Sequence, residues 1–130
     1  MEAALAVIVS YQAKELLKYV FGRTWPETWL GDNSSWISNH TLGFHFFHGG
    51  AAWESFPSGH TTQAWALAAV LWVRFPRWRW LWGAYAIAVP VGLWGADFHF
   101  VGDMVAGAFL GVATAVLIMA AMSGSEKTAD

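Results

Sequence analysis

Apolar residues run along this chain in four long blocks, at residues 3–21, 58–73, 80–96 and 100–122, separated by connections of very unequal length. Each block approaches the ~20 residues that an α-helix needs to cross a bilayer, the second being the shortest. Backbone N–H and C=O groups in lipid must be satisfied within the segment, so the pattern predicts four helices. Pro90 falls inside the third, where it introduces a kink that neighbouring helices of a bundle can support. The expected fold is all-α, an integral-membrane helical bundle with about four transmembrane helices and a long extracytoplasmic loop. It forms a single domain over residues 1–122, followed by a polar, mobile tail at 123–130.

The loop is the long connection at residues 23–57, rich in Gly, Asn, Ser, His and Trp. Connections of that length are usually functional or disordered. Its aromatic residues, Trp25, Trp29, Trp36, Phe44, Phe46, Phe47 and Trp53, argue for an ordered cap at headgroup level.

Composition strengthens the membrane reading. Hydrophobic residues make up 56% of the 130 positions and charged residues 12%, half the roughly 25% of a soluble domain. The mean hydropathy is +0.38. Ten tryptophans and nine phenylalanines are hard to hide in a soluble chain this short. That disfavours the competing reading, a soluble bundle with an exposed aromatic patch. A net charge of −2 with scattered basic residues excludes a nucleic-acid surface. The absence of cysteine excludes disulfides and thiolate metal sites. The N-terminus has neither a basic n-region nor a small-residue cleavage site, so the first apolar block is expected to stay in the folded protein.

Orientation follows from charge. Arg74, Arg77 and Arg79 cluster at the short turn between blocks two and three, which the positive-inside rule places in the cytoplasm. Both termini then also face inward and the long loop outward, with Trp72, Trp78, Trp80 and Trp82 as an inner aromatic belt.

Two strings carry chemistry, and this topology brings both to the outer end. Pro57-Ser58-Gly59-His60 opens the second block and His99-Phe100-Val101-Gly102-Asp103 opens the fourth. A helix N-terminus offers unpaired N–H groups and partial positive charge, which suits a phosphate. Gly59 lets backbone approach an anion, and Ser58 caps the helix or donates to an oxygen. Asp103, four residues after His99, can hold one imidazole nitrogen and leave the other to attack. His60 can protonate the leaving oxygen. Pro-Ser-Gly alone is a turn before a capped helix, and the full four-residue string arises by chance in about one such chain in a thousand. A His with Asp at i+4 is common. Their joint appearance at one face carries the functional reading.

Lys14 and Lys18 lie in the last turns of the first block, at the same end. An intramembrane lysine is a functional candidate, against the plainer reading of snorkelling or pairing with Glu15. The string that follows Lys18, through Phe21-Gly22-Arg23-Thr24-Trp25-Pro26, favours a site role for it.

Together these strings resemble the type 2 phosphatidic acid phosphatase superfamily, which includes lipid-phosphate phosphatases, acid phosphatases and vanadium haloperoxidases. Its signatures are Lys-x6-Arg-Pro, Pro-Ser-Gly-His and Ser-Arg-x5-His-x3-Asp, and they occur here in order from Lys18 to Asp103. The second is complete. The first keeps Lys18 and Pro26 but has Trp25 at the arginine position, and the third keeps His99 and Asp103 but has Gly92-Leu93 for Ser-Arg. Membrane members have six spans, and this chain has room for four.

The resemblance implies hydrolysis of a lipid phosphate or lipid pyrophosphate, of the phosphatidic acid or prenyl pyrophosphate kind, without metal or cofactor. His99 attacks phosphorus and forms a phosphohistidine, oriented by Asp103, while His60 acts as general acid. Lys18, Arg23, Ser58 and the Gly59 N–H bind the phosphate, with Arg23 standing in for the arginine that Trp25 replaces. The expected location is a bacterial cytoplasmic membrane with the site on the extracytoplasmic side, and the expected partners are a phosphorylated lipid and the bilayer. The alternatives are a catalytically silent relative that binds a phosphorylated lipid or serves as a scaffold, and a vanadate-dependent oxidase, which the missing arginines disfavour. His40, His45 and His48 in the loop are interfacial residues or a metal or phosphate site. Gly107 and Gly111 serve close helix packing or a dimer face, making a homo-oligomer a candidate.

Overall fold

The computed structural model describes residues 1–27 and 33–127. Trp29 of the aromatic cap and the last three residues of the expected tail therefore lie outside the described residues. The described chain is all-helical. α1 spans Glu2–Phe21, the short α2 Trp36–Asn39, α3 Gly59–Arg74, α4 Arg79–Gly95 and α5 Val101–Lys127. The four long helices coincide with the four apolar blocks to within a residue or two, except that α5 runs on to Lys127, through most of the stretch read as tail.

α3 is the central helix, packed against α1, α4 and α5, and α1 also packs on α5. What allows this is small side chains. The buried apolar residues are mostly alanines, among them Ala6, Ala64, Ala66, Ala68 and Ala115, beside buried Ser10, Thr61, Thr62 and Thr114. Gly107 and Gly111 of α5 lie directly on α3: a Cβ at Gly107 would stand 2.6 Å from the Ser58 carbonyl oxygen, and one at Gly111 2.3 Å from that of Thr62. The small-x3-small pair is thus used inside the chain, between α3 and α5. Large apolar residues point outward instead, with Phe109 77% and Leu117 70% exposed. Small inside and large outside departs from the usual soluble pattern and is compatible with helices packed in lipid.

Among the described residues one helix is long and apolar enough to cross a membrane, the Val101–Gly124 stretch of α5, with mean hydropathy 2.3. α3 and α4 have 16 and 17 residues, and α1 carries Glu2, Lys14, Glu15 and Lys18, so length and charge keep these three short of the same standard.

Connections set the ends. α1 stops at Gly22, which takes the left-handed conformation (φ 49°) and donates its N–H to the Lys18 carbonyl at 2.8 Å. A Cβ there would collide with the His45 carbonyl. At the far end Arg74 of α3 pairs with Glu2 of α1, its Nε donating to Oε2 at 2.6 Å. Trp72, Trp78 and Trp80 are exposed around the arginine turn, whereas the Trp82 indole nitrogen is buried.

The described parts of the long loop fold back against the end of α1. Arg23 forms isolated bridges with Phe44 and Glu54, and Trp25 with Ser35. The His45 N–H donates to the Gly22 carbonyl at 2.7 Å and the Ser55 N–H to that of Arg23 at 3.1 Å. Phe56, joined to Pro57 by a cis peptide, stacks edge-on against Phe21 at 5.0 Å and Phe44 at 5.5 Å. The Phe46 ring joins this cluster, 6.0 Å from Phe21.

Candidate active site

Two helix starts meet under the cap. The Ser58 N–H donates to the Asp103 carbonyl at 3.0 Å, tying the first residue before α3 to the first turn of α5. Gly59, His60 and Thr61 follow as the first turn of α3, whose N–H groups have no partner within the helix.

Asp103 is fully buried, and its carboxylate is almost saturated, as a buried charge requires. Oδ2 accepts from the Phe100 N–H at 3.0 Å, capping α5 from within, and from the Ser55 hydroxyl at 2.7 Å. Oδ1 accepts from Arg23 Nη1 at 2.5 Å. His99 Nδ1 lies 3.7 Å from Oδ2 and is buried with no hydrogen-bond partner. That separation exceeds a hydrogen bond.

A cavity of about 210 Å³ opens beside these helix starts, and its wall includes Lys18, Gly59, His60 and His99. Four of the seven expected site residues therefore share one space, drawn from two helices and the turn before α5. His99 is 3% exposed, whereas His60 is open to solvent. Lys18 Nζ stands 3.8 Å from Glu54 Oε2 of the cap.

The other three expected residues are not among those lining the cavity. Asp103 stands beside His99, its Oδ2 3.7 Å from Nδ1. Arg23, expected at the phosphate, instead pairs with Asp103, its guanidinium 4.4 Å from the Phe100 ring and 5.0 Å from that of Phe44. The physical reason is the buried carboxylate, which draws in the nearest cation. The Ser58 hydroxyl shares a 3.0 Å hydrogen bond with that of Thr61 rather than facing the cavity.

The wall also contains Lys14, a candidate from its depth in the sequence, and Tyr11, Trp25, Gln63 and Phe98, which are not among the expected site residues. Periodicity holds the signal for several: Tyr11, Lys14 and Lys18 lie three and four apart on one face of α1, and Gln63 is three after His60 on α3. Trp25 packs its ring 5.0 Å from that of His99 while its Nε1 donates to the Ala51 carbonyl at 2.7 Å. The loop histidines stay outside. His45 and His48 stack against Trp53 at 4.1 and 5.3 Å, and His40 against Trp36 at 5.7 Å. Among the described residues no three His, Cys, Asp or Glu side chains are grouped to hold a metal ion.

The deciding comparison is with families: residues 1–127, nearly the whole chain, match the PAP2 superfamily. The chain belongs to the PAP2 superfamily. It is 35% identical over 108 residues to a lipid A 1-phosphatase of Rhizobium etli, covering 81% of this chain and 42% of the relative. It is 34% identical to a lipid A 1-phosphatase of Rhizobium johnstonii, covering 81% and 40%. The chain thus spans about two fifths of the length of these curated relatives. No solved structure matches it. Against the PAP2 signatures, the cavity keeps the lysine of the first, the glycine and histidine of the second and the histidine of the third. It meets Trp25 where an arginine is expected, and Gly92, at the serine position, faces open space.

Proposed function

We propose that this chain is a membrane-embedded phosphatase that hydrolyses a phosphorylated lipid through a phosphohistidine on His99. The observation that carries the reading is that His60 and His99, well separated in sequence, face one small cavity with Lys18 and the N-terminus of α3. The ester phosphate enters with its oxygens toward Lys18 and the Gly59 and His60 N–H groups. Nδ1 of His99 faces Asp103, so Nε2 attacks phosphorus as the bond to the leaving oxygen breaks. Protonated His60 gives its proton to that oxygen. Water then attacks the phosphohistidine, His60 takes a proton from it, and the P–N bond breaks with its electron pair returning to Nε2. Arg23 acts one step back, pairing with Asp103 and holding it in place.

In this reading α1, α3, α4 and α5 all span the membrane, the three shorter ones with help from interfacial anchors and local thinning. The arginine turn is cytoplasmic and the cap extracytoplasmic. The relatives' names turn the substrate toward a lipid carrying phosphate on its headgroup, within the wider class of phosphatidic acid and prenyl pyrophosphate.

A second reading, a silent lipid-phosphate binder or scaffold, draws on the indole of Trp25 against His99, where a PAP2 arginine is expected. Phosphate release from phosphatidic acid, a prenyl pyrophosphate and lipid A by the purified chain in detergent with EDTA separates the two. The wild type is expected to release phosphate and His99→Ala to lose that release by several orders of magnitude. Equal inertness of both proteins on all three lipids would leave only the silent reading.

A further inference from the structure

We propose that Lys14 is a second phosphate-binding cation of this site, replacing charge that Trp25 and Leu93 do not supply. The proposal rests on the reading that the cavity receives a phosphoryl group. Lys14 stands one turn before Lys18 on α1, and with Tyr11 the two lysines form one stripe along the cavity wall.

Its side chain is only 8% exposed. A buried ammonium is costly without an anion beside it, and a lysine at membrane depth either escapes to the headgroups or has a task. Lys14 does not escape. Its ammonium lies 4.1 Å above the Tyr11 ring and pairs with the neighbouring Glu15, whose side chain is 40% exposed. Lys18 is held in the same way by Glu54, 37% exposed. Each cation thus rests against a partly hydrated carboxylate at the rim. A dianionic phosphoryl group entering the cavity can draw both ammonium groups away from those carboxylates.

The position of the Lys14 stem is an independent observation. A Cβ at Gly59 would meet Lys14 Cδ and Cε at 3.1 Å and Nζ at 3.4 Å. The side chain therefore lies across the start of α3, bringing its charge beside the N–H groups that have no helical partner. Gly59 leaves the room that the lysine fills. Cation and free donors converge on one spot, which is the requirement for binding a phosphoryl group.

Inorganic phosphate and a lipid headgroup share this chemistry, so the test has two arms. Calorimetric titration of orthophosphate into the purified full chain in detergent, at constant ionic strength, compares wild type with Lys14→Met, Lys14→Arg and Glu15→Gln. Lys14→Met is expected to weaken binding about tenfold or more, as removal of one charge-assisted hydrogen bond does. Lys14→Arg keeps most of the affinity, and Glu15→Gln tightens it by freeing the ammonium. In the second arm, phosphatidic acid in mixed micelles competes with orthophosphate. Lys14-dependent competition assigns the site to lipid headgroups, and its absence assigns it to free phosphate, both with Lys14 as a ligand.

Unchanged affinity in Lys14→Met, unchanged or weaker affinity in Glu15→Gln, or no saturable binding by the wild type overturns the proposal. Helical circular dichroism checks folding, and where Lys14→Met does not fold, the other two variants decide. Lys14-dependent binding without release of phosphate from any lipid removes the hydrolase reading alone. Hydrolysis with Lys14→Met unaltered in KM and phosphate affinity removes the lysine alone.

Discussion

Arg23 and Lys18, the two cations expected at the phosphate, meet different surroundings, and these separate them. Arg23 is bound to a carboxylate with no solvent exposure, 80 residues away in sequence. Removing one partner of a buried pair leaves the other charge unpaired, at about 3 kcal/mol or more. Arg23→Gln is therefore expected to lower the thermal midpoint of the purified chain clearly. Lys18 meets its carboxylate at 3.8 Å near the rim. Lys18→Met should leave the midpoint nearly unchanged and reduce kcat/KM by about tenfold to a hundredfold, through weaker stabilisation of the phosphate charge. A reversed pattern, with Arg23→Gln stable but slow and Lys18→Met unfolded, would exchange the two roles. At this scale the sequence is informative about identity and poor about partners. His60, His99 and Lys18 stand out from their strings, whereas nothing local to Arg23 announces Asp103. Lys14 is visible as a candidate from its depth, but its place across Gly59 depends on how α1 leans on α3.

The helices of the site are held by what they lack. α3 and α5 touch along Gly107 and Gly111, where backbone meets backbone without intervening side chains. Gly111→Leu must push α5 away from α3, at a cost of roughly 1–3 kcal/mol or more for overpacking. His60 rides on α3 and His99 leads into α5, so the same variant is expected to lose phosphate release even at temperatures where helicity persists. Circular dichroism and a phosphate assay on one sample check this, and full activity with native stability would refute the close approach. By contrast the Glu2–Arg74 pair at the opposite end is partly exposed on the arginine side. Glu2→Gln should leave the thermal midpoint nearly unchanged, as loss of an exposed pair does. Helix positions follow directly from the apolar blocks. The extension of α5 to Lys127 does not, because Ser123 and Gly124 read as a stop while the helix continues through them.

For the molecule as a whole, the proposed bilayer location matches small residues within and large apolar residues without, since lipid does not penalise exposed Phe and Leu. The chain should stay monodisperse in detergent and precipitate on its removal. In the proposed topology the arginine turn is cytoplasmic. Arg74, Arg77 and Arg79 lie at the end opposite the cavity, so a reporter fused after Asp130 should read as cytoplasmic in whole cells. An extracytoplasmic reading would invert the molecule and place the cavity inside.

By itself the sequence determined that the chain is helical, where its long helices lie, and which two strings begin them. Periodicity and composition are local quantities, and each helix expresses them without reference to the others. It also determined that His60, His99 and Asp103 stand at the signature positions while two arginine positions hold other residues. Tertiary structure decided which polar groups meet. It gave Arg23 to Asp103, turned the Ser58 hydroxyl toward Thr61, set Trp25 against His99 and laid Lys14 along the start of α3. Those assignments depend on how close α1, α3 and α5 approach and on how the cap folds back over them. Close approach is set by the collective packing of small side chains, which no single stretch of sequence encodes. The two histidines were readable as residues, and their shared cavity exists only once the helices and the cap have closed around it.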